Sequence, residues 1–480
     1  MNKTIKKNYI YNLIYEAFML IVPIAVTPYI SRVLGEDASG QYSYIYSIVT
    51  YFTLFASLGF SRYSQRLVAQ HQGNKYKQSI DFYEIFIARL IPVTLTIMVY
   101  LIIWNTGIYG QKYNGLVVIL SINIYAIAID ITYLFQGNEE FGILVLRNIL
   151  VKSMGFLCIF IFVKSAADLW KYAFIQSMVV MLSNLSLWLY LPKYIIKIKI
   201  SELKPLRHLP ATFMLFIPTI ATSIYTSLDK TLIGLITQND AENGNYEYAE
   251  KLVKMAQTII TSLGTVMIPR NSVLFSRGNF EKIKENIYFA MRFVMLLGLP
   301  LSTGLIAISN NLIPWYLGDG YNKAADILKI LSPLIVIIGI SNVLGVQFLL
   351  PSGEDKKYTL ALVLGACINL ILNLIFINKL GSYGAAIATI IAELLITICM
   401  CYFVRNDIKL KKILEISWHY IVASILMFGI CFTISTKLEA SIFNTFFIIL
   451  CGIIIYFIIL LCLNDEIIRY ITKINIKNKY

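Results

Sequence analysis

Charge is scarce in this chain of 480 residues. Asp, Glu, Lys and Arg together make up 14% of it, where a soluble domain carries about 25%. Histidine occurs three times, at 71, 208 and 419. There is no G-x-x-x-x-G-K-[ST] loop, so no Walker site for ATP. There is no low-complexity stretch, and no connection between apolar segments exceeds about 20 residues, which leaves no room for an extramembrane catalytic domain. These shortages exclude a soluble globular enzyme and a disordered chain. What is abundant is apolar: 58% of residues are hydrophobic. The runs are long and unbroken, as in Ile97–Trp104 and Phe446–Leu463, unlike the alternation of β-barrel strands. A helical span takes about 20 residues, so fourteen spans would use about 280 and leave short loops.

The seven cysteines (158, 367, 399, 401, 431, 451 and 462) all fall in apolar segments. Thiols in such places behave as small hydrophobes, so neither a disulfide nor a metal site is expected. The basic start, Met1–Lys7, is followed by an apolar run with no A-x-A exit. It reads as a first span rather than a cleaved signal.

Hydropathy and helix breakers place spans near 10–34, 42–61, 82–104, 115–136, 143–163, 169–191, 210–236, 248–269, 287–309, 323–350, 358–378, 384–403, 416–436 and 444–463. The fold class is therefore an all-α polytopic membrane protein. The connections alternate in charge. One side carries 26 Lys and Arg, the other only Lys112, Lys164, Lys379 and Lys437. The positive-inside rule then puts both termini in the cytoplasm, and it explains most of the net charge of +14 without nucleic acid. Trp104, Trp170 and Trp315 fall at outer span ends, Trp188 and Trp418 at inner ends, the level indoles prefer.

Two segments repeat. Ser39-Gly40-Gln41-Tyr42-Ser43-Tyr44 leads to Ser57-Leu58-Gly59, and Asn243-Gly244-Asn245-Tyr246-Glu247-Tyr248 leads to Ser262-Leu263-Gly264. Each follows a span with a central proline, Pro23 or Pro218. The offset of 204–205 residues equals six spans. This implies parallel lobes related by an axis along the membrane normal, with a site between the halves as in secondary transporters. The expected boundaries are 1–205 for helices 1–6, 206–408 for helices 7–12, and 409–480 for helices 13–14 and a cytoplasmic tail.

Charges inside spans cost about 2.5–3.5 kcal/mol at the centre of a lipid-facing helix, so they mark wet or paired positions. Glu393 lies near the midplane of span twelve, and Asp229 and Lys230 lie two thirds across span seven. Asp130 and Glu16 are shallower. Glu393, Asp229 and Asp130 are the candidates for coupling to a proton or Na+; no other cofactor is called for. Their plainer roles are hydrogen bonding within the bundle or snorkelling. Lys251 and Lys254 share one face of span eight, and Arg32 sits near the outer end of span one. Two lobes lining one cavity would bring these cations together, a setting for a diphosphate; the plainer role is anchoring at the interface. Arg62, Arg66 and Arg270 lie at inner ends, where charge bias alone accounts for them and where they would also meet an anionic headgroup at the cytoplasmic entrance.

Pro28-Tyr29-Ile30-Ser31-Arg32-Val33-Leu34-Gly35, then Ser39-Gly40-Gln41-Tyr42 and Leu58-Gly59-Phe60, resemble the polysaccharide-transport flippases of the multidrug/oligosaccharidyl-lipid/polysaccharide exporter superfamily. Asp229-Lys230 before Leu232-Ile233-Gly234, Gly244–Leu252, Ile268-Pro269-Arg270, Asn369 to Asn373 and Leu380–Ala386 are similar to its later spans. The resemblance implies two pseudo-symmetric six-helix lobes in a V around a central cavity, plus two C-terminal helices. It implies alternating-access transport of undecaprenyl-diphosphate-linked oligosaccharide repeat units across a bacterial cytoplasmic membrane, for capsule, O-antigen or exopolysaccharide. It points to Arg32, Lys230, Lys251 and Lys254 as headgroup residues. It implies membrane lipids as surroundings, a polysaccharide polymerase and chain-length machinery as partners, and a monomer.

Three rivals stay open. Peptidoglycan-precursor flippases also have fourteen spans, but the arginine-rich first span associated with them is reduced here to Arg32. A cation-coupled multidrug exporter of the same superfamily would want a more acidic cavity. A membrane polysaccharide polymerase or ligase would need a substantial outer loop with catalytic residues, and no catalytic motif is present.

Overall fold

The computed structural model describes residues 3–107 and 110–465, with no side-chain description at 3–14, 16, 17, 20, 217–226, 265 and 266. Glu16, Pro218, the N-terminal lysines and the basic tail beyond 465 lie outside the described residues. Among the described residues every regular element is helical. The chain divides into two compact units.

The first unit runs to Leu235 and includes Asn239–Gly244. It holds α1 (Lys3–Ser57), α2 (Phe60–Gln70), α3 (Lys75–Asn105), α4 (Asn114–Leu120), α5 (Ile122–Ala128), α6 (Thr132–Gly137), α7 (Phe141–Phe162), α8 (Leu169–Ser186) and nearly all of α9 (Leu209–Thr237). The second unit holds Ile236–Gln238 and the chain from Asn245 onward. Its helices are α10 (Asp240–Ser276, less its first turn), α11 (Phe280–Leu317), α12 (Asn322–Leu331), α13 (Leu334–Ser341, continuing as the π-helix Asn342–Leu349), α14 (Asp355–Leu380), α15 (Ser382–Val404), α16 (Leu410–Ser435) and α17 (Ile442–Cys462). Each of the fourteen expected spans falls on one or more of these helices. Among the described residues twelve helical stretches are long and apolar enough to cross a bilayer, and one of them, Ile21–Gln70, holds the later part of the first expected span and all of the second.

Between those two spans the helix is interrupted at a single residue. Gly35, at φ 73° and ψ 176°, is the one non-helical position inside α1, and only glycine takes that backbone without strain. The chain reverses there. Lys152, midway along α7, reaches back to Tyr15, and the Tyr29 hydroxyl donates to the Val163 carbonyl (2.7 Å) just past the end of α7. Beyond the corner, Tyr42 packs edge-on against Tyr172 at the start of α8. Gly59 then meets the first turns of α9.

The expected continuous span 115–136 is in fact three pieces, α4 to α6. The backbone leaves the helix at Ile129–Ile131 and frees carbonyl groups at membrane depth, which is tolerated only where protein satisfies them. Asn184 Nδ2 donates to the Ala126 carbonyl (2.9 Å) and Trp188 Nε1 to that of Ile129 (2.8 Å). Arg89 Nη1 donates to the carbonyls of Ile127 (3.5 Å) and Asp130. The Arg89 guanidinium also lies over the rings of Tyr133 and Phe60, 4.9 and 5.7 Å from their centroids. The expected span 323–350 is broken as well, at Ser332–Pro333, where proline lacks the N–H a helix needs.

Buried side chains such as Leu34, Ile45, Leu120, Ile124 and Ile159 form one core of the first unit, and Phe60, Phe82, Ile85, Tyr133 and Phe135 another. The opposite faces are covered by exposed Ile102, Leu146, Leu157, Leu189, Ile398, Leu414 and Phe443. Apolar surface of that extent suits lipid, not water. This is a multi-pass membrane protein.

Candidate functional site

The repeated G-x-Y motifs meet. Within the first unit, α1 and the first turn of α10 cross at Gly40 and Gly244 with no room for a side chain. A Cβ on Gly40 would overlap the Asp240 carbonyl and sit 2.9 Å from Gly244 N. A Cβ on Gly244 would overlap the Glu36 carbonyl. Asp240, in the first turn of α10 where the helix dipole favours an anion, accepts from the Tyr113 hydroxyl (2.6 Å) and pairs with Lys112 (2.9 Å). The S-L-G motifs do not match in structure: Gly59 takes a positive φ of 70° after α1, while Gly264 stays inside helix α10.

The last third of α9 is clamped against the second half of α1. Ser47 and Thr231 share a hydrogen bond of 2.8 Å, and Gly234 lies against the Tyr44 ring. Asn243 Nδ2 donates to the Lys230 carbonyl (2.8 Å). Asp229 is buried here and Lys230 half-buried. Arg32 is exposed, one turn before the Gly35 corner. Arg62 and Arg66 are exposed along α2, and Arg270 is exposed on α10 just after Pro269.

In the second unit, Lys251 is half-buried, its ammonium 5.9 Å from the Tyr248 ring centroid. Lys254 is exposed and pairs with Glu250 at 2.6 Å. Glu393 is buried in α15, and its carbonyl accepts from the Thr397 hydroxyl (2.9 Å). Asn373 Nδ2 donates to Asn369 Oδ1 (3.0 Å), and Asn369 Nδ2 to Thr389 (3.4 Å), a buried polar ladder between α14 and α15. Asp130 has a local job in the first unit: its carboxylate accepts from the Thr132 N–H (2.9 Å) and caps α6. Among the described residues no three His, Cys, Asp or Glu side chains are grouped to hold a metal.

A family profile described as "Polysaccharide biosynthesis protein" matches residues 5–275, more than half of the chain. The chain belongs to the polysaccharide biosynthesis protein family. A second profile, "Lipid II flippase MurJ", matches residues 172–457. An Escherichia coli (strain K12) relative named "Putative O-antigen transporter" is 26% identical over 411 residues, covering 84% of this chain and 97% of the relative. Two solved structures share the fold. One is a lipid II flippase MurJ in an inward closed conformation (TM-score 0.65, 18% identity, 91% of this chain and 98% of that one). The other is an inward-facing multidrug resistance MATE family transporter of the MOP superfamily (TM-score 0.65, 12% identity, 84% and 98%). This family member is thus a polysaccharide flippase, and it shares the fold of a transporter of the MOP superfamily.

The flippase has a polar cluster that reading the sequence overlooked. The histidines 71 and 208 looked scattered, yet both pair with carboxylates on α3. His71 Nδ1 is 2.5 Å from Asp81. His208 lies between Glu84 (Nε2, 2.7 Å) and the Tyr63 hydroxyl (Nδ1, 2.7 Å), and Arg207 pairs with Glu84 at 2.5 Å. The signal available was the i,i+3 acidic pair Asp81 and Glu84, placed where the polar first turns of α3 give way to its apolar run. Two buried arginines, Arg89 and Arg147, serve carbonyl groups instead of carboxylates; Arg147 donates to the Ser183 carbonyl and to Thr132 Oγ1 (3.2 Å). An apolar groove of about 740 Å³ between α7 and α8, lined by Met154, Phe174 and Met178 among others, contains none of the residues assigned to headgroup, entrance or coupling roles.

Proposed function

We propose that this flippase moves undecaprenyl-diphosphate-linked oligosaccharide repeat units from the inner to the outer leaflet of a bacterial cytoplasmic membrane, by alternating access, for capsule, O-antigen or exopolysaccharide synthesis. The observation that carries the reading is the family match over residues 5–275. It is supported by basic residues held within spans where lipid alone would not tolerate them. Arg32 and Lys230 on the first unit and Lys251 and Lys254 on the second are the cations assigned to the diphosphate. Arg62, Arg66 and Arg270 are assigned to the cytoplasmic entrance. Asp229 and Glu393 are assigned to coupling with a proton or Na+; Asp130 is the weaker candidate because its carboxylate already caps α6. Both termini are assigned to the cytoplasm on the charge of the loops. The chain acts as a transporter rather than an enzyme, with a polymerase and chain-length machinery receiving its product.

The test is charge reversal of Lys251 and Lys254 together. Export of surface polymer is lost while the protein stays in the membrane at parental level; normal export refutes the headgroup assignment. A second reading, transport of a peptidoglycan precursor, is favoured by the profile over residues 172–457. Rescue of a host depleted of its own precursor flippase, with no effect on surface polysaccharide, would decide for it.

A further inference from the structure

The connection between α8 and α9 is bound to α3 at three places. The Ile196 N–H donates to Ser79 Oγ (2.9 Å), the Tyr76 hydroxyl donates to Glu202, and the Lys204 N–H donates to Glu84 Oε1 (2.7 Å). The last anchor is the strongest. The Glu84 and His208 side chains are 1% and 3% exposed, and Glu84 receives hydrogen bonds or ion pairs from Lys204 N, His208 and Arg207 at once. His208 is the residue before Leu209, where α9 begins. The first turn of α9 then packs on the turn that ends α1, where a Cβ on Gly59 would fall 3.0 Å from Phe216 N and run into the Thr212 carbonyl. The groups facing this point are Tyr63 on α2, His71 in the following turn, Asp81 and Glu84 on α3, and Arg207 and His208 from the connection.

We propose that Glu84, His208 and Tyr63 form a latch that fixes the start of α9 against α3, and so positions the helix that carries Asp229 and Lys230. A buried carboxylate in this setting is held by its partners, and removing one leaves an uncompensated charge away from water. Loosening the latch frees the first turn of α9 while the rest of the unit keeps its core. These are positioning residues: none is assigned contact with the transported lipid.

The test uses the full-length protein in membranes, with its seven native cysteines replaced and Thr212→Cys introduced. Thr212 is fully buried in the first turn of α9, beside Gly59. Maleimide labelling of that cysteine is slow in the parent. Glu84→Gln or His208→Ala raises the rate about tenfold or more, since local opening governs access. Tyr63→Phe, which removes one hydroxyl and keeps the ring, raises it by a smaller factor and serves if the stronger variants fail to reach the membrane. Exchanging the partners, Glu84→His with His208→Glu, brings the rate back toward the parent; a purely packing role would not recover in this way. Unchanged labelling in the single variants, or an exchanged pair that labels as fast as the singles, overturns the latch. The readout involves no substrate, so the latch and the transport reading fail independently.

Discussion

Alanine at Gly40 tests the crossing of the two repeated motifs. A Cβ there would lie 2.6 Å from the Asp240 carbonyl carbon, where non-bonded carbons settle at about 3.5–4.0 Å, so the helices must separate by roughly 1 Å. The obstacle is backbone, which cannot rotate aside as a side chain would. Intrusion of one methyl into a packed contact costs about 1–3 kcal/mol. Shifting Asp240 also disturbs its bonds from Tyr113 (2.6 Å) and Lys112 (2.9 Å), and a hydrogen bond to a charged group contributes about 1.5–3 kcal/mol. A loss near 3 kcal/mol follows, or about 6–12 °C in melting temperature if the first unit of roughly 240 residues melts cooperatively. Gly244→Ala meets the Glu36 carbonyl and produces a similar loss. The pair is the sharper measurement. Once Gly40→Ala has opened the crossing, the second methyl enters space already made, so the double variant melts close to the worse single. Thermal unfolding of the four proteins in one detergent gives the cycle. Additive losses, or single losses under about 1 kcal/mol, refute the close approach.

Two further outcomes follow from the interior of the first unit and the surface of the second. Arg89→Met leaves the carbonyls of Ile127 and Asp130 without their donor and destabilises by about 2–5 kcal/mol, with Arg89→Lys recovering only part because one ammonium lacks the planar fork; an unchanged melting curve for Arg89→Met would end the role given to it. Glu250→Gln removes the partner of exposed Lys254 and changes stability by less than about 1 kcal/mol, so a larger drop in the melting temperature would show that the pair is buried in the working protein.

Much of the architecture was readable because lipid imposes one rule on every span. Apolar length put every expected span on helix, and the boundary placed at Leu34 falls beside the Gly35 corner. The interruption of span four was not readable. Its run carries no proline, and the groups that make the break tolerable, Arg89, Asn184 and Trp188, come from segments some 40 to 60 residues away. Lys254 was read with Lys251 three residues before it, although Glu250 at i−4 was the nearer partner on the same helix. The Glu84–His208 pair spans 124 residues of sequence, and nothing local in either segment announces the other.

The Gly35 corner leaves no slack. Whatever tilt the first arm adopts is handed to the second through one pair of dihedral angles. Adding or deleting a single residue there would spin the following arm by about 100° about its own axis, turning Ile45 and Val49 out to the lipid and Tyr46 inward. Length at this bend is therefore as constrained as residue identity, and a reporter tag spliced into it would be expected to scramble the helix rather than decorate its tip.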